Sequence, residues 1–236
     1  MTDEAAFWER HYRGRRGGGG RANPLLVETA GPLPPGVALD LGCGAGGDTM
    51  WLARRGWRVT AVDISDTAVA RVRDRAAEFG GRVVGERHDL AQTFPAGTFD
   101  LISAQYLHTP YALDRARVLR TAAHALTPGG LLLIVDHGSV APWSWNQDAD
   151  ARFPAPAEVA AGLGLDPDQW PVLRADMPRR RATGPGGRTA MVTDNVLLIQ
   201  RRAALPGGAA LAGGVALAGG VALPGRVALP GRAGRN

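Results

Sequence analysis

The chain contains no lysine: all 27 of its basic residues are arginine, set against 22 acids. With the abundance of Gly, Ala and Pro, this reads as base-composition bias in the coding DNA. It has a single cysteine, which excludes an internal disulfide framework. No His or Cys lies near Cys43 in sequence, so it reads as a small packed side chain rather than a reactive thiol, and no metal site is expected. The first ten residues, MTDEAAFWER, lack the basic and then apolar regions of a signal peptide, so the expected location is the cytoplasm.

The net charge of +5 hints at nucleic-acid binding until it is located. Residues 1–21 hold five Arg and three acids, and residues 203–236 hold three Arg and no acid. The body between them carries 19 of each sign, a neutral surface that argues against a nucleic-acid footprint. Three regions follow. Residues 1–21 combine a short helix with the loop RGRRGGGGR, and residues 22–202 have the composition and length of one domain. Residues 203–236 repeat a hexapeptide, AALPGG to VALPGR. Its 23 uncharged residues between Arg202 and Arg226 hold seven Gly and two Pro, a composition that favours disorder over a membrane helix.

Val37 to Asp63 carries the strongest pattern. An apolar run, Val37 to Leu41, meets the turn Gly42-Cys43-Gly44-Ala45-Gly46-Gly47. A helical stretch from Asp48 to Arg55 follows, and a second apolar run ends on Asp63. This is strand, turn, helix, parallel strand, with a glycine turn that lets a ligand approach backbone N–H groups. Asp63 stands where a carboxylate accepts both hydroxyls of a ribose. Gly42, Gly44 and Gly47 fit the G-x-G-x-x-G of dinucleotide-binding proteins. Asp40, Gly42, Gly44 and Gly46 fit the D-x-G-x-G-x-G of S-adenosylmethionine-dependent methyltransferases. Asp40 discriminates: a carboxylate there repels a pyrophosphate but favours the ammonium and sulfonium of S-adenosylmethionine.

Before this unit, residues 3–13 form a helix with Phe7, Trp8, His11 and Tyr12 on one face, covering the sheet edge or closing over the cofactor as a lid. After it, residues 67–79 form a helix and 82–87 a strand. Asp89 falls on the same sheet edge as Asp40 and Asp63, where it serves the adenine amino group or caps a surface turn. Residues 99–104 form a strand with Gln105, Tyr106 and His108 at its carboxyl end, where open α/β sheets bind ligands. A helix over 113–126 ends at Thr127-Pro128-Gly129-Gly130, and Leu131 to Val135 is a doubly buried strand. Trp143 and Trp145 follow, as a substrate cap or as core plugs. Residues 156–163 are a helix; 170–177 and 189–201 are strands, joined by a turn that includes Arg179-Arg180-Arg181, expected as a solvated tip, with contact to an acidic substrate as the competing account. His11 and His124 read as surface residues, while His108 and then His137 are the candidate bases, each with a structural role as its competing account.

With Asp40 to Gly46, Asp63, Asp89 and Thr127 to Gly130 in view, the chain resembles the class I S-adenosylmethionine-dependent methyltransferases. Trp8 to Tyr12 and Asn23-Pro24-Leu25 resemble the small bacterial tellurite-resistance and thiopurine-type group. The resemblance implies an α/β fold with a Rossmann-like seven-stranded sheet, helices on both faces and an antiparallel last strand. It implies that Asp40, Gly42, Cys43, Gly44 and Gly46 hold the methionine part. Asp63 takes the ribose, Ile64 the adenine face, and Asp89 with Leu90 the adenine edge. Gln105 and Tyr106 fall beside the transferring methyl, under the helix of Trp8 and Tyr12. The expected activity is methyl transfer to a small molecule, with His108 and Tyr106 as catalytic candidates. A nicotinamide-dependent oxidoreductase and a non-catalytic cofactor-binding domain are the alternatives.

Overall fold

The structure is a computed structural model that describes residues 2–14, 20–144, 147 and 152–203. The hexapeptide repeat, most of the Gly/Arg-rich loop and Trp145 lie outside the described residues.

Five strands run parallel: β1 (Val37–Leu41), β2 (Arg58–Asp63), β3 (Val83–Arg87), β4 (Phe99–Gln105) and β5 (Leu126–His137). The helices between them are α3 (Gly47–Arg54), α4 (Asp66–Ala76) and α5 (Arg115–His124), preceded by α1 (Asp3–Arg13) and α2 (Pro24–Ala30). α6 (Pro156–Leu163) leads to β6 (Val172–Asp176), β7 (Arg179–Thr183) and β8 (Thr189–Gln200). The sheet order is β3-β2-β1-β4-β5-β8-β6, with β8 antiparallel to β5 and β6. This is the expected seven-strand path with a reversed last strand, and β7 adds an eighth strand on β8.

Local chemistry sets the element ends. Thr2, Ser65 and Asp114 each accept a backbone N–H from the first turn of α1, α4 and α5, satisfying donors that the helix leaves orphaned. Leu132 to Val135 are fully covered because α5 and α6 lie on one face and the α2–α3 layer on the other. Each such aliphatic side chain stabilises by roughly 1.5–3 kcal/mol relative to exposure.

Two expectations need correction. Thr127 to Gly130 do not end before the strand; they belong to β5 and fall where its register with β4 shifts, from Phe99 opposite Leu126 to Leu101 opposite Leu131. Arg179 to Arg181 are not a solvated tip but the body of β7, in register with Met191 to Thr193. Pairing with β8 made a strand where the side chains carry no alternating apolar signal. The parallel strands all point their carboxyl ends at one edge, and that edge holds Asp40, Asp63, Asp89, Gln105 and Asp136.

Candidate active site

Three carboxylates surround the turn after β1, with no ion pair to any of them among the described residues. Asp40 Oδ2 accepts the Thr49 hydroxyl at 2.5 Å. Burial, with the Asp48 charge added, pushes the Asp40 carboxyl up to about 7. Asp48 Oδ1 accepts the Asn23 N–H at 2.6 Å, and burial raises it above the ordinary carboxylate range despite that bond. Asp63 accepts Gly44 N–H at 3.0 Å on Oδ2 and Ser65 N–H at 2.9 Å on Oδ1; burial raises it too. Three desolvated carboxylates in one place destabilise their own ionised forms, and a cation set among them relieves that cost. The sequence pattern singles out Asp40 and Asp63 but marks Asp48 only as the start of a helix.

The turn has glycine where a side chain cannot be held. Gly44 has φ +51°, and a Cβ there would stand 2.9 Å from the Tyr12 hydroxyl of α1. A Cβ on Gly47 would stand 2.7 Å from the Gly20 carbonyl oxygen, because residues 20–23 cross over the start of α3.

Two cavities open along this edge. The first, about 580 Å³, has Trp8, Tyr12, Asp63, Ile64, Asp89 and Leu90 in its wall. His88, Leu107 and His108 also reach it. The face of α1 that carries Phe7, Trp8, His11 and Tyr12 therefore lies over the carboxyl edge, with Trp8 Nε1 donating to Thr109 at 3.4 Å. His11 is half-buried in this ring cluster, where a surface position was expected. Asp89 is on the cavity wall, and its carboxylate also accepts Ala91 N–H and Gln92 Nε2, so the capping role is present as well.

The second cavity, about 1200 Å³ and open to solvent, is walled by Asp40, Cys43, Asp48, Gln105, Arg21 and Arg180. Gly42 and Tyr106 belong to both walls, so the cavities meet there. Cys43 is a packed side chain whose thiol is pushed well up by burial, which keeps it protonated and inert. Gln105 accepts from Asn23 Nδ2 at 2.8 Å and donates to Ser103, fixing its amide.

Tyr106 has φ +51°, the one non-glycine positive φ among the described residues. Its hydroxyl donates to Asp194 Oδ1 at 2.9 Å and accepts from Arg180 Nη2 at 2.9 Å, and Arg180 Nε bonds Asp194 Oδ2. Burial and the Asp194 charge push the phenol up to about 12. Its ring stacks on His137 at 4.4 Å between centroids. Asp194 and its pairing with Arg180 were missed from the sequence, since their meeting depends on the pairing of β7 with β8. His108 Nε2 lies 3.3 Å from Asp136, whose other partner is Arg115. Burial alone would raise Asp136, but the His108 hydrogen bond and the Arg115 charge outweigh it and hold the carboxyl low. Burial, then the His108 charge, lowers His137. Trp143 packs against Gly184 at the β7–β8 turn and lines neither cavity.

Residues 38–130 match the family described as "Methyltransferase domain". The chain is 33% identical over 135 residues to ribosomal RNA small subunit methyltransferase C of Alcanivorax borkumensis, covering 53% of this chain and 39% of that protein. It is 36% identical over 151 residues to 27-O-demethylrifamycin SV methyltransferase of Amycolatopsis mediterranei, covering 60% and 55%. The chain thus spans about half or less of the length of these curated relatives. A solved structure described as "Conversion of a Disulfide Bond into a Thioacetal Group during Echinomycin Biosynthesis" superposes with a TM-score of 0.64 at 26% identity, over 84% of this chain and 91% of that one. Matched domain, strand order and reversed last strand agree: residues 38–130 carry a methyltransferase domain, and S-adenosyl-L-methionine is the cofactor that this match supports.

Proposed function

We propose that this protein transfers a methyl group from S-adenosylmethionine to a small molecule. The observation that carries the reading is the junction of two cavities at Gly42 and Tyr106, one walled for an adenosine and the other bearing buried carboxylates that have no ion pair among the described residues. The residues fit the cofactor. Asp63 uses one backbone donor on each oxygen, and a carboxylate has about four acceptor sites, so both ribose hydroxyls can still be received. Ile64 and Leu90 offer apolar faces to the adenine, with Asp89 beside its amino group. Asp40 and Asp48 favour the ammonium and sulfonium, and Arg21 is available to the methionine carboxylate. A nicotinamide dinucleotide fits worse, because its pyrophosphate would meet the Asp40 and Asp48 carboxylates.

When bound, the cofactor supplies a methyl group on a sulfur that is already positively charged. The protein's part is then alignment, exclusion of water and removal of a proton where the acceptor carries one. Trp8 and Tyr12 on α1 cover the edge and keep water out. Tyr106, held by Asp194 and Arg180, fixes a ring where the cavities meet. His108, oriented by Asp136, is the group suited to accept the proton.

A small acceptor rather than RNA is supported by the neutral charge of residues 22–202. The test incubates the protein with methyl-labelled S-adenosylmethionine and a cell extract, then separates small molecules from RNA. Label is expected in the small-molecule fraction; label confined to RNA would overturn the substrate class. The expected cytoplasmic location accords with the absence, among the described residues, of any helix long and apolar enough to cross a membrane.

A further inference from the structure

The seven-strand path is complete without β7, yet β7 brings one charged side chain back to the carboxyl edge. Successive strand residues face opposite ways, so Arg179 and Arg181 are exposed while Arg180 turns inward to Asp194 and Tyr106. A guanidinium has five N–H donors. Nε serves Asp194 Oδ2, and the two hydrogens of Nη2 serve Asp194 Oδ1 and the Tyr106 hydroxyl. Nη1 has no partner among the described residues, although the side chain is 33% exposed and stands in the wall of the second cavity. Asp194, at 1% exposure, holds the fork rigidly and cannot follow a ligand.

We infer that Arg180 is the docking group for an anionic oxygen on the methyl acceptor, so that the acceptor class is a small molecule bearing a carboxylate or an equally acidic oxygen. The inference rests on the methyltransferase reading above and adds the acceptor's chemistry to it. Among the described residues two cations line this cavity, and their places divide the work. Arg21 belongs to the segment that crosses Gly47, beside Asp48, at the end suited to the methionine part. Arg180 is bonded to Tyr106, the residue shared with the first cavity, and so stands at the junction. An anion on Nη1 there adds a charge-assisted hydrogen bond to a guanidinium whose geometry is already set, with little further ordering cost. A neutral amide of the same shape offers a weaker acceptor.

The test uses the full chain saturated with S-adenosylhomocysteine and titrates it with benzoate and butyrate, each against its amide, by NMR. At least one acid is expected to bind saturably and about tenfold or more tighter than its amide. The paired variant R180M/D194N removes the guanidinium without leaving a buried charge unpaired. It is expected to lose the preference for the acid while binding S-adenosylhomocysteine as the unaltered protein does. Acid and amide binding alike, or acid preference retained by the paired variant, would overturn the assignment. Loss of S-adenosylhomocysteine binding in the paired variant would also overturn it, by moving Arg180 to the cofactor. Failure of the unaltered protein to bind S-adenosylhomocysteine would instead overturn the methyltransferase reading, and the acceptor assignment with it.

Discussion

Glu9 Oε2 accepts the Ser65 hydroxyl at 2.6 Å, tying α1 to the N-terminus of α4, two residues beyond Asp63. The same carboxylate accepts Thr67 N–H at 3.1 Å, the Thr67 hydroxyl at 2.6 Å and Arg13 Nε at 2.8 Å. An anion at the start of a helix also meets the positive end of its dipole. Glu9 is therefore the latch that holds Trp8 and Tyr12 over the first cavity.

Replacing Glu9 with Ala strands the donors of Ser65 and Thr67, which should cost about 1–3 kcal/mol in urea unfolding. Burial alone would raise this carboxyl, but the hydrogen bonds from Ser65 and Thr67 outweigh it and bring it from 4.5 to about 2. The folded value lies below the unfolded one, so the latch contributes fully above about pH 4.5 and is lost as pH falls through about 2. Unfolding curves of the unaltered protein and Glu9→Ala should converge across that window. A constant gap between them would show that the carboxylate is not the latch.

Asp40 has the opposite sign. Its folded carboxyl stands at about 7 against 3.8 for the free group, chiefly through burial. The stability it contributes is full below about pH 3.8 and is lost as pH rises through about 7. Asp40→Asn should therefore make the ligand-free protein more stable at pH 7.5, while weakening S-adenosylmethionine binding by about tenfold or more. Calorimetry between pH 5.5 and 7.5 should show affinity rising with pH in the unaltered protein and flat in the variant. A parallel rise in both would remove Asp40 from the cofactor site.

Asp63→Ala should weaken the cofactor at least about tenfold, since each charge-assisted hydrogen bond is worth about 1.5–3 kcal/mol. It should also lower stability, because Gly44 and Ser65 lose their acceptor. Isothermal titration together with thermal melts separates the two effects; unchanged affinity would mean that the ribose lies elsewhere.

Gly47→Ala places a Cβ 2.7 Å from the Gly20 carbonyl and 2.9 Å from that of Arg21. The crossing segment must move, stretching the Asn23–Asp48 bond, at a cost of roughly 1–3 kcal/mol. Weaker cofactor binding should accompany it; a variant as stable as the parent would show that the segment is not seated there.

The sequence made the βαβ unit legible because its signals are local: apolar runs, a glycine turn and a carboxylate at each strand tip. Helix boundaries were legible where caps stand, as at Thr2 and Ser65. What escaped depends on pairing or burial. β7 is three arginines, an alanine and a threonine between Pro178 and Gly184, and only its partner β8 makes it a strand. Glu9 carries no signal in the sequence, because nothing local reveals that Ser65 and Thr67 meet it. Asp194 and Arg180 are separated by a turn and carry no motif. Trp143 was open between a substrate cap and a packed plug, and its ring is taken up by the β7–β8 turn, a contact that no local pattern reveals.

Calorimetric titration of the unaltered protein with S-adenosylmethionine, and separately with NAD, tests the central claim most directly. One equivalent of S-adenosylmethionine should bind and NAD should not, because Asp40 and Asp48 favour a cation and oppose a pyrophosphate. NAD binding without S-adenosylmethionine binding would contradict it.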